Sequence, residues 1–371
     1  MNNTLKPPLY LKLAQITCGL LAFFYILYVG AEILVPLAFA TIFAILLNPI
    51  VNYVTARGIP RVAAIVLCLT IAFLLFIGVF YFITSQAMLF GKSFPLFKQK
   101  FFTFLQQGSD WAAQTFKISH RNLDQQLEQM KGDGWDYFTS FLGSTLSTAT
   151  EVLIVVFLLP VYIFLILFYK PLLLQFIAQL FDTHDHPVVV DILDQTKSLI
   201  QSYLIGLLLE AAIMAALNSV ALLALGLEYA VLLGIIGAIL NVIPYIGGIV
   251  AVVLPVLLAF ATKTPITAFW VVVLYGIIQF IDNHFIVPKV VASKVKINAL
   301  ASIVVVLVGG ALWDTAGMFL SIPIVAIVKV IFDHIPNLRP FGYLLGDDQP
   351  PMSTVIFDFE KLKKKARKMA A

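Results

Sequence analysis

Charged side chains are scarce in this sequence. Asp, Glu, Lys and Arg make up only 12% of its 371 residues, whereas a soluble domain carries about 25%. Hydrophobic residues account for 61%, and a soluble fold of this length cannot bury so much apolar surface. The few charges are grouped between long apolar runs, as expected for a chain that lipid surrounds. The composition therefore predicts an all-α membrane protein with several spans.

The motifs that would indicate an enzyme are also missing. There is no GxSxG, HExxH, CxxC or Walker-type loop, and the lack of a Walker loop argues against ATP-driven transport. The two cysteines, Cys18 and Cys68, lie in apolar runs, where packing explains them. His184 and His186 share a polar turn, which is typical of solvated side chains. We predict a non-enzymatic chain with no catalytic residue, metal site or cofactor.

Positive charge is concentrated near the C-terminus, in Lys361, Lys363, Lys364, Lys365, Arg367 and Lys368. No folded basic face accompanies these residues, so nucleic acid is not expected as a partner. Two interpretations of this tail stay open: an electrostatic contact with anionic lipid headgroups, and a solvated cytoplasmic segment.

Apolar stretches near the ~20 residues of a membrane span divide the rest of the chain. Between the early spans and a fourth one, polar residues return at helical spacing among aromatics, which predicts an extramembrane insert of amphipathic helices. Ser119 is the expected N-cap of a helix that runs to Met130. The predicted domains are N-terminal membrane segments at residues 1–91, the insert at 92–149, a fourth span with an amphipathic connector at 150–202, a transport core at 203–340 and the basic tail at 341–371.

Two apolar runs in the core, at residues 229–262 and 300–332, are interrupted near their middle. Each is too long for one ordinary crossing and too short for two. Each run is therefore either a kinked crossing or a re-entrant hairpin. If both are hairpins, the loop with Lys289, Lys294 and Lys296 lies on the same side as the other short basic loops, as the positive-inside rule prefers. We therefore favour two hairpins that enter the membrane from opposite sides as an inverted repeat.

Breaks in membrane helices have chemical consequences. Backbone groups freed by Pro244, Gly247 and Gly248 cannot face lipid, because each unsatisfied group costs several kcal/mol there. Many secondary transporters present such broken helix ends to a substrate or ion at the bilayer midplane. A proline-kinked packing helix is the alternative for a single break. Two breaks in corresponding positions favour a transport site.

Ionisable and polar residues lie beside the two breaks. Glu210 is a candidate proton or cation carrier, or else a protonated carboxyl bonded to a neighbouring helix. Asp282 belongs to a polar stripe that interfacial anchoring would also explain, and Asp314 suits either cation contact or capping of a hairpin tip. The candidate residues for contact with a solute or ion are Asn241, Pro244, Tyr245, Gly247, Gly248, Glu210, Gln279, Asp282, Asn283, Asp314 and Gly317.

Several blocks of the sequence resemble the autoinducer-2 exporter-like (AI-2E) family of membrane permeases. The blocks are residues 36–38 (PLA), 48–49 (NP), 225–230 (LGLEYA), 240–248 (LNVIPYIGG), 279–289 (QFIDNHFIVPK) and 317–323 (GMFLSIP). The resemblance implies a multi-pass protein of the bacterial inner membrane with about eight membrane segments. Members of this family are associated with export of the signalling molecule autoinducer-2, and others look like sodium or lithium/proton antiporters.

The resulting hypothesis is a secondary transporter that exports a small polar solute such as an autoinducer-2-like signalling molecule. A sodium or lithium/proton antiporter is the alternative, and a non-transporting membrane scaffold that binds a partner through the insert is a further one. The expected partners are a small solute or cation and membrane lipids. Whether the chain forms a homo-oligomer is left open.

Overall fold

The computed structural model describes residues 9–116, 149–243, 247–292 and 296–347. Helices form nearly all of these ranges, and one isolated bridge joins Ile297 to Gly346. The helices are α1 (Leu9–Val29), α2 (Ala31–Ala56), α3 (Arg61–Phe116), α4 (Ala149–Phe168), α5 (Lys170–Gln179), α6 (His186–Ala224), α7 (Ala230–Asn241), α8 (Gly247–Thr262), α9 (Pro265–Ile281), α10 (Ala299–His334) and α11 (Arg339–Leu345). Two π-helical turns, Asp282–Ile286 and Pro288–Ala292, continue α9.

The predicted fold class, a polytopic all-α membrane protein, is confirmed for the described residues. By length and apolar composition, six of these helices could cross a membrane, and the bent pair α4–α5 raises the number to seven. The shorter apolar helices α7 and α8 are not included in this number. Large apolar side chains remain exposed along α1 and α3, as expected where lipid is the solvent.

The predicted insert begins inside a helix. Only Arg61–Gln86 of α3 qualifies as a span, yet the helix continues without interruption to Phe116, beyond the predicted boundary at residue 92. The remainder of the insert at residues 117–148, with the helix predicted from Ser119, lies outside the described residues, as does most of the basic tail. The domain boundaries stay predictions.

The connector before the core contains the expected turn. Residues 180–185 separate α5 from α6, and Pro187 follows His186 in the first turn of α6, where a proline is tolerated. From there α6 runs for 39 residues, about 58 Å at 1.5 Å per residue. It therefore crosses the predicted boundary at residue 203 and joins connector and core in one rigid element.

The first interrupted run is a helical hairpin. Its arms are α7 and α8, with 12 and 16 residues, and each is shorter than the ~20 residues that a crossing needs. The two arms pack against each other. At its base, a Cβ atom on Gly226 would lie 3.6 Å from Nζ of Lys263, so the link before α7 and the residue after α8 are neighbours. The chain enters and leaves this hairpin at the far end of α6.

The second interrupted run also turns back on itself, inside the span of α10. Trp313 and Asp314 have non-helical backbone angles, with φ of −138° and 50°. A Cβ atom on Gly309 would collide with the carbonyl group of Gly317 and with Oγ of Ser321, although Gly309 and Ser321 would be about 18 Å apart along a straight helix. The two halves of α10 are therefore packed side by side, and small residues allow the close approach.

The bases of the two hairpins lie at opposite ends of α6. His334 at the end of α10 is 2.9 Å (Nε2 to Oδ2) from Asp191 near the start of α6. Asn298, just before α10, donates to the carbonyl oxygens of Leu344 in the last turn of α11 and of Gly346 just after it. Both ends of α10 therefore lie together at that end of α6. The opposed entry of the two hairpins agrees with the inverted arrangement predicted from the lysine distribution.

Candidate functional site

A cavity of about 840 Å³ lies where the tip of the α7–α8 hairpin meets α6 and α9. The start of α10 and the segment after α11 complete its wall. Its polar lining residues are Tyr203, Glu210, Asn241, Tyr275, Gln279, Asp282, Asn283, Ser302 and Asp347. A mostly apolar concave site with a few convergent polar groups is the usual form of a small-ligand site.

One amide joins two buried carboxyl groups inside this cavity. Asn241, the last residue of α7, donates from Nδ2 to Oδ2 of Asp282 at 2.9 Å and to Oε1 of Glu210 at 3.3 Å. Asp282 is 1% exposed and Glu210 is 6% exposed, so neither carboxyl is an interfacial anchor. The hairpin tip thus brings α6, α7 and the end of α9 together around two acidic groups.

The polar stripe predicted on α9 is present, and its side chains lie within hydrogen-bond distance of one another. Nε2 of Gln279 lies 3.3 Å from Oδ2 of Asp282 and 3.4 Å from Oδ1 of Asn283. Asp282 begins the π-helical turn that extends α9, and such wider turns are frequent at functional sites. The turn places Asp282 against Asn241 while Asn283 remains exposed at the cavity wall.

Gly248, on the far side of the hairpin tip, allows the two amides to reach the cavity. A Cβ atom at this position would collide with Oε1 of Gln279 and would lie 3.2 Å from Oδ1 of Asn241. Both amides donate to Asp282, so any side chain at residue 248 would displace the groups that hold this carboxylate. This close approach explains a glycine at the tip better than turn formation alone.

The electrostatic character of the cavity is acidic. Three of its described lining residues, Glu210, Asp282 and Asp347, carry carboxyl groups, and that part of the wall contains no Lys, Arg or His. Within the described residues, no group of three or more His, Cys, Asp or Glu side chains could hold a metal ion. The cavity therefore suits a neutral polar molecule, a proton or a monovalent cation better than an anion.

One carboxyl oxygen of the site lacks a hydrogen-bond partner among the described residues. Oδ1 of Asp282 is buried and unpaired, although Oδ2 of the same carboxyl accepts two hydrogen bonds. A buried carboxyl oxygen without a hydrogen bond in an apolar environment destabilises the folded protein. A proton, a cation or a ligand hydroxyl at this oxygen would remove that cost.

The structure brings most of the predicted site residues together. Six of the eleven line the cavity, namely Glu210, Asn241, Gly248, Gln279, Asp282 and Asn283, and Gly247 is buried at the start of α8 beside them. Pro244 and Tyr245 lie outside the described residues. Asp314 and Gly317 belong to the second hairpin and do not line the cavity; Asp314 is exposed. A transport role for these residues stays a prediction.

Sequence reasoning did not identify four polar residues of the cavity wall, namely Tyr203, Tyr275, Ser302 and Asp347. Tyr203 lies two turns before Glu210 on α6, and helical spacing alone could have indicated it. Asp347 falls within the segment assigned to the tail, where no local pattern links it to the core. It reaches the cavity because Asn298 binds the chain at Leu344 and Gly346.

Two opposed broken-helix hairpins with a buried acidic site between helices form an arrangement that many membrane transporters share. The profile of the AI-2E family of transporters matches residues 18–337. The chain therefore belongs to the AI-2E transporter family, as its sequence blocks indicated, and it is a membrane transporter.

Individual relatives are distant but match over most of their length. YueF of Bacillus subtilis, provisionally named a transport protein, is 25% identical over 82% of this chain and 84% of its own. A Haemophilus influenzae protein with a similar provisional name is 26% identical over 86% of this chain and 91% of its own. The AI-2 transport protein TqsA of Escherichia coli K12 is 23% identical over 86% and 90% of the two chains.

Proposed function

We propose that this transporter exports a small polar solute, of the kind of autoinducer-2, through the cavity between α6, the α7–α8 tip and α9. The observation that carries the proposal is the Asn241 amide that joins Glu210 to Asp282. Because Asn241 ends a broken helix, movement of the hairpin tip would change the contacts of both carboxyl groups at once. The name of TqsA, a relative over most of this chain, supports the choice of solute.

The chemistry of the wall suits a hydroxylated neutral solute. Amide groups of Asn241, Gln279 and Asn283 donate and accept hydrogen bonds, and carboxylates accept them from hydroxyl groups. The free Oδ1 of Asp282 supplies one acceptor that no described residue uses. A solute with several hydroxyl groups would satisfy this atom on binding.

Sodium or lithium/proton antiport is the second candidate, and the paired carboxyl groups favour it. Glu210 and Asp282 accept from one shared amide, and none of the described residues that line the cavity is basic. Two buried carboxyl groups in one site can exchange a proton for a cation. In this case the same residues bind an ion instead of a solute.

Flux measurements in proteoliposomes separate the candidates. We expect efflux of autoinducer-2 from vesicles that contain the purified chain, and at least a tenfold loss of that efflux in Glu210→Gln. The matched control is Glu32→Gln, since Glu32 is an exposed residue in the first turn of α2. Size-exclusion profiles of the variants in detergent report whether each one remains folded.

Two other flux results would contradict this proposal. If added sodium or lithium dissipates a pH gradient while autoinducer-2 does not move, the chain is an antiporter and the solute assignment is wrong. If neither autoinducer-2 nor any of sodium, lithium and potassium moves, the scaffold alternative replaces transport through this cavity.

The proposed location is the bacterial inner membrane, with the base of the second hairpin in the cytoplasm. Lys170, Lys197 and Lys296 lie near the end of α6 where this hairpin begins, and short cytoplasmic loops are enriched in lysine. Protease accessibility of a tag placed after residue 347 in right-side-out vesicles would test the orientation. Cleavage there from outside would reverse it.

A further inference from the structure

A second polar layer lies next to the acidic site, on the side toward the base of the first hairpin. It contains Asn218 of α6 and Tyr275 of α9, which are 2% and 7% exposed. Oδ1 of Asn218 and the hydroxyl of Tyr275 have no hydrogen-bond partner among the described residues. A buried polar atom without a hydrogen-bond partner destabilises the folded protein unless a ligand satisfies it.

Gly237 of α7 lies between these two side chains. A Cβ atom on Gly237 would lie 3.3 Å from Nδ2 of Asn218 and 3.5 Å from the hydroxyl oxygen of Tyr275. The missing side chain therefore leaves both polar groups facing the same small space. We call Asn218, Gly237 and Tyr275 the second layer, and Glu210, Asn241 and Asp282 the first layer.

The two layers are built on the same three helices. Asn218 is about 12 Å beyond Glu210 along α6, Gly237 about 6 Å before Asn241 on α7, and Tyr275 about 10 Å before Asp282 on α9. Because α7 and α9 are both antiparallel to α6, the displacement from the first layer to the second has the same direction on all three helices. It leads from the base of the second hairpin toward the base of the first, which is the direction of passage across the membrane.

An apolar cluster separates the layers at the same helices. Met214, Ala238 and Ile278 form one buried contact cluster, with one residue from each of α6, α7 and α9. Tyr275 nevertheless lines the cavity that contains the first layer. A polar path thus continues past the apolar cluster along the α9 side.

We propose that the second layer is a further binding position on the transport path, at which Asn218 and Tyr275 take a hydroxyl group. Both side chains are neutral and can donate and accept, so the group is the hydroxyl of a solute or a water molecule that accompanies an ion. The inference rests on the proposed transport through this cavity. It adds a position that the acidic site alone does not provide.

Removal of one hydrogen-bonding group at a time tests this binding position. In proteoliposomes, Tyr275→Phe and Asn218→Ala should each raise the half-saturating concentration for autoinducer-2 by about two- to tenfold, the loss of one hydrogen bond. Tyr162→Phe is the matched control, because Tyr162 packs in the separate cluster of α2, α3 and α4. A rise for autoinducer-2 alone identifies a solute hydroxyl, and an equal change in sodium flux identifies a water molecule. Unchanged half-saturation for both probes, with only a lower melting temperature, would overturn the proposal.

Cysteine labelling separates this inference from the choice of solute. In a background with Cys18→Ala and Cys68→Ala, we expect a membrane-impermeant thiol reagent to label Asn218→Cys and Tyr275→Cys in reconstituted protein. Ile65→Cys, fully buried in the α2–α3–α4 cluster, should remain unlabelled. Labelling at residues 218 and 275, with no autoinducer-2 flux in the parent protein that carries only Cys18→Ala and Cys68→Ala, supports the second layer and rejects the solute. Protection of both positions equal to that at residue 65 rejects the second layer, whatever the flux.

Discussion

The two hairpins of this transporter have similar sequence signals and different contents. The first places the amide of Asn241 against two carboxyl groups in a cavity, with Gly248 beside the amides of Asn241 and Gln279. The second is held by apolar and small-residue contacts, with Gly309 against Gly317, and its tip residue Trp313 donates from Nε1 to the carbonyl oxygen of Leu27 in α1 at 2.9 Å. Interruption of an apolar run thus predicts a hairpin, whereas the neighbours of its tip decide its chemistry.

We infer from this difference that the two hairpins have different roles. The first hairpin carries the site, and its tip meets α6 and α9. The second hairpin packs on α2 and α6 and is tied to α1, so it supports the wall of the bundle and, through the start of α10, one end of the cavity. Substitutions in the two hairpins should therefore affect transport and folding to different degrees.

The largest effect is expected at the crossing point of the second hairpin. Gly309→Val would place a side chain into the backbone of Gly317, and such overpacking costs about 3 kcal/mol. We expect little folded protein by size-exclusion chromatography. Gly78→Val in α3, where nothing lies within 4 Å of the added Cβ, should fold normally. A Gly309→Val protein as stable as Gly78→Val would mean that the two halves of α10 are not packed together.

A large effect on transport is expected at the first hairpin's carboxyl partner. Asp282→Asn keeps the shape but removes the charge to which Asn241 and Gln279 donate, and hydrogen bonds to charged groups contribute about 1.5–3 kcal/mol. Flux should fall about ten- to hundredfold. Asp314→Asn in the second hairpin is the matched variant and should cost less, because Asp314 is exposed and outside the cavity. Equal losses in the two variants would place the second tip in the transport site after all.

A moderate effect is expected from a methyl group at the first tip. Gly248→Ala would push Gln279 and Asn241 away from Asp282, and because Gln279 is a flexible side chain the loss should be about fivefold, near 1 kcal/mol. Gly276→Ala adds a methyl group to open space on the same cavity wall. Initial rates of flux compare the two variants. If Gly276→Ala is the more harmful, cavity volume matters more than the positions of the amides.

The smallest effect is expected at the link between the second tip and α1. Trp313→Phe removes the hydrogen bond to Leu27, and a hydrogen bond between membrane helices contributes about 0.6 kcal/mol on average. The melting temperature in detergent should fall slightly while flux stays within about twofold. A loss of flux comparable to that of Asp282→Asn would show that α1 controls the transport step.

Local physical rules were sufficient to predict much of this fold from the sequence. The apolar runs and their lengths predict membrane helices because lipid demands internally bonded backbone, and the proline and glycine breaks predict where helices end. The lysine distribution favoured hairpins over kinked crossings, and the structure confirms the hairpins. The length of α3 was not predicted, because the polar residues after residue 91 signal departure from lipid and not the end of a helix.

The sequence alone determined that this chain spans a membrane, belongs to a transporter family and carries a buried carboxyl at Glu210. Only the tertiary structure decided which polar residues share a cavity, because contacts between α6, α7 and α9 join positions separated by 31 and 41 residues. It separated Asp314 from Asp282, and it brought Asp347 to the cavity through the bonds of Asn298. Helical periodicity specifies which face of a helix a residue occupies, whereas only packing specifies which helix that face meets.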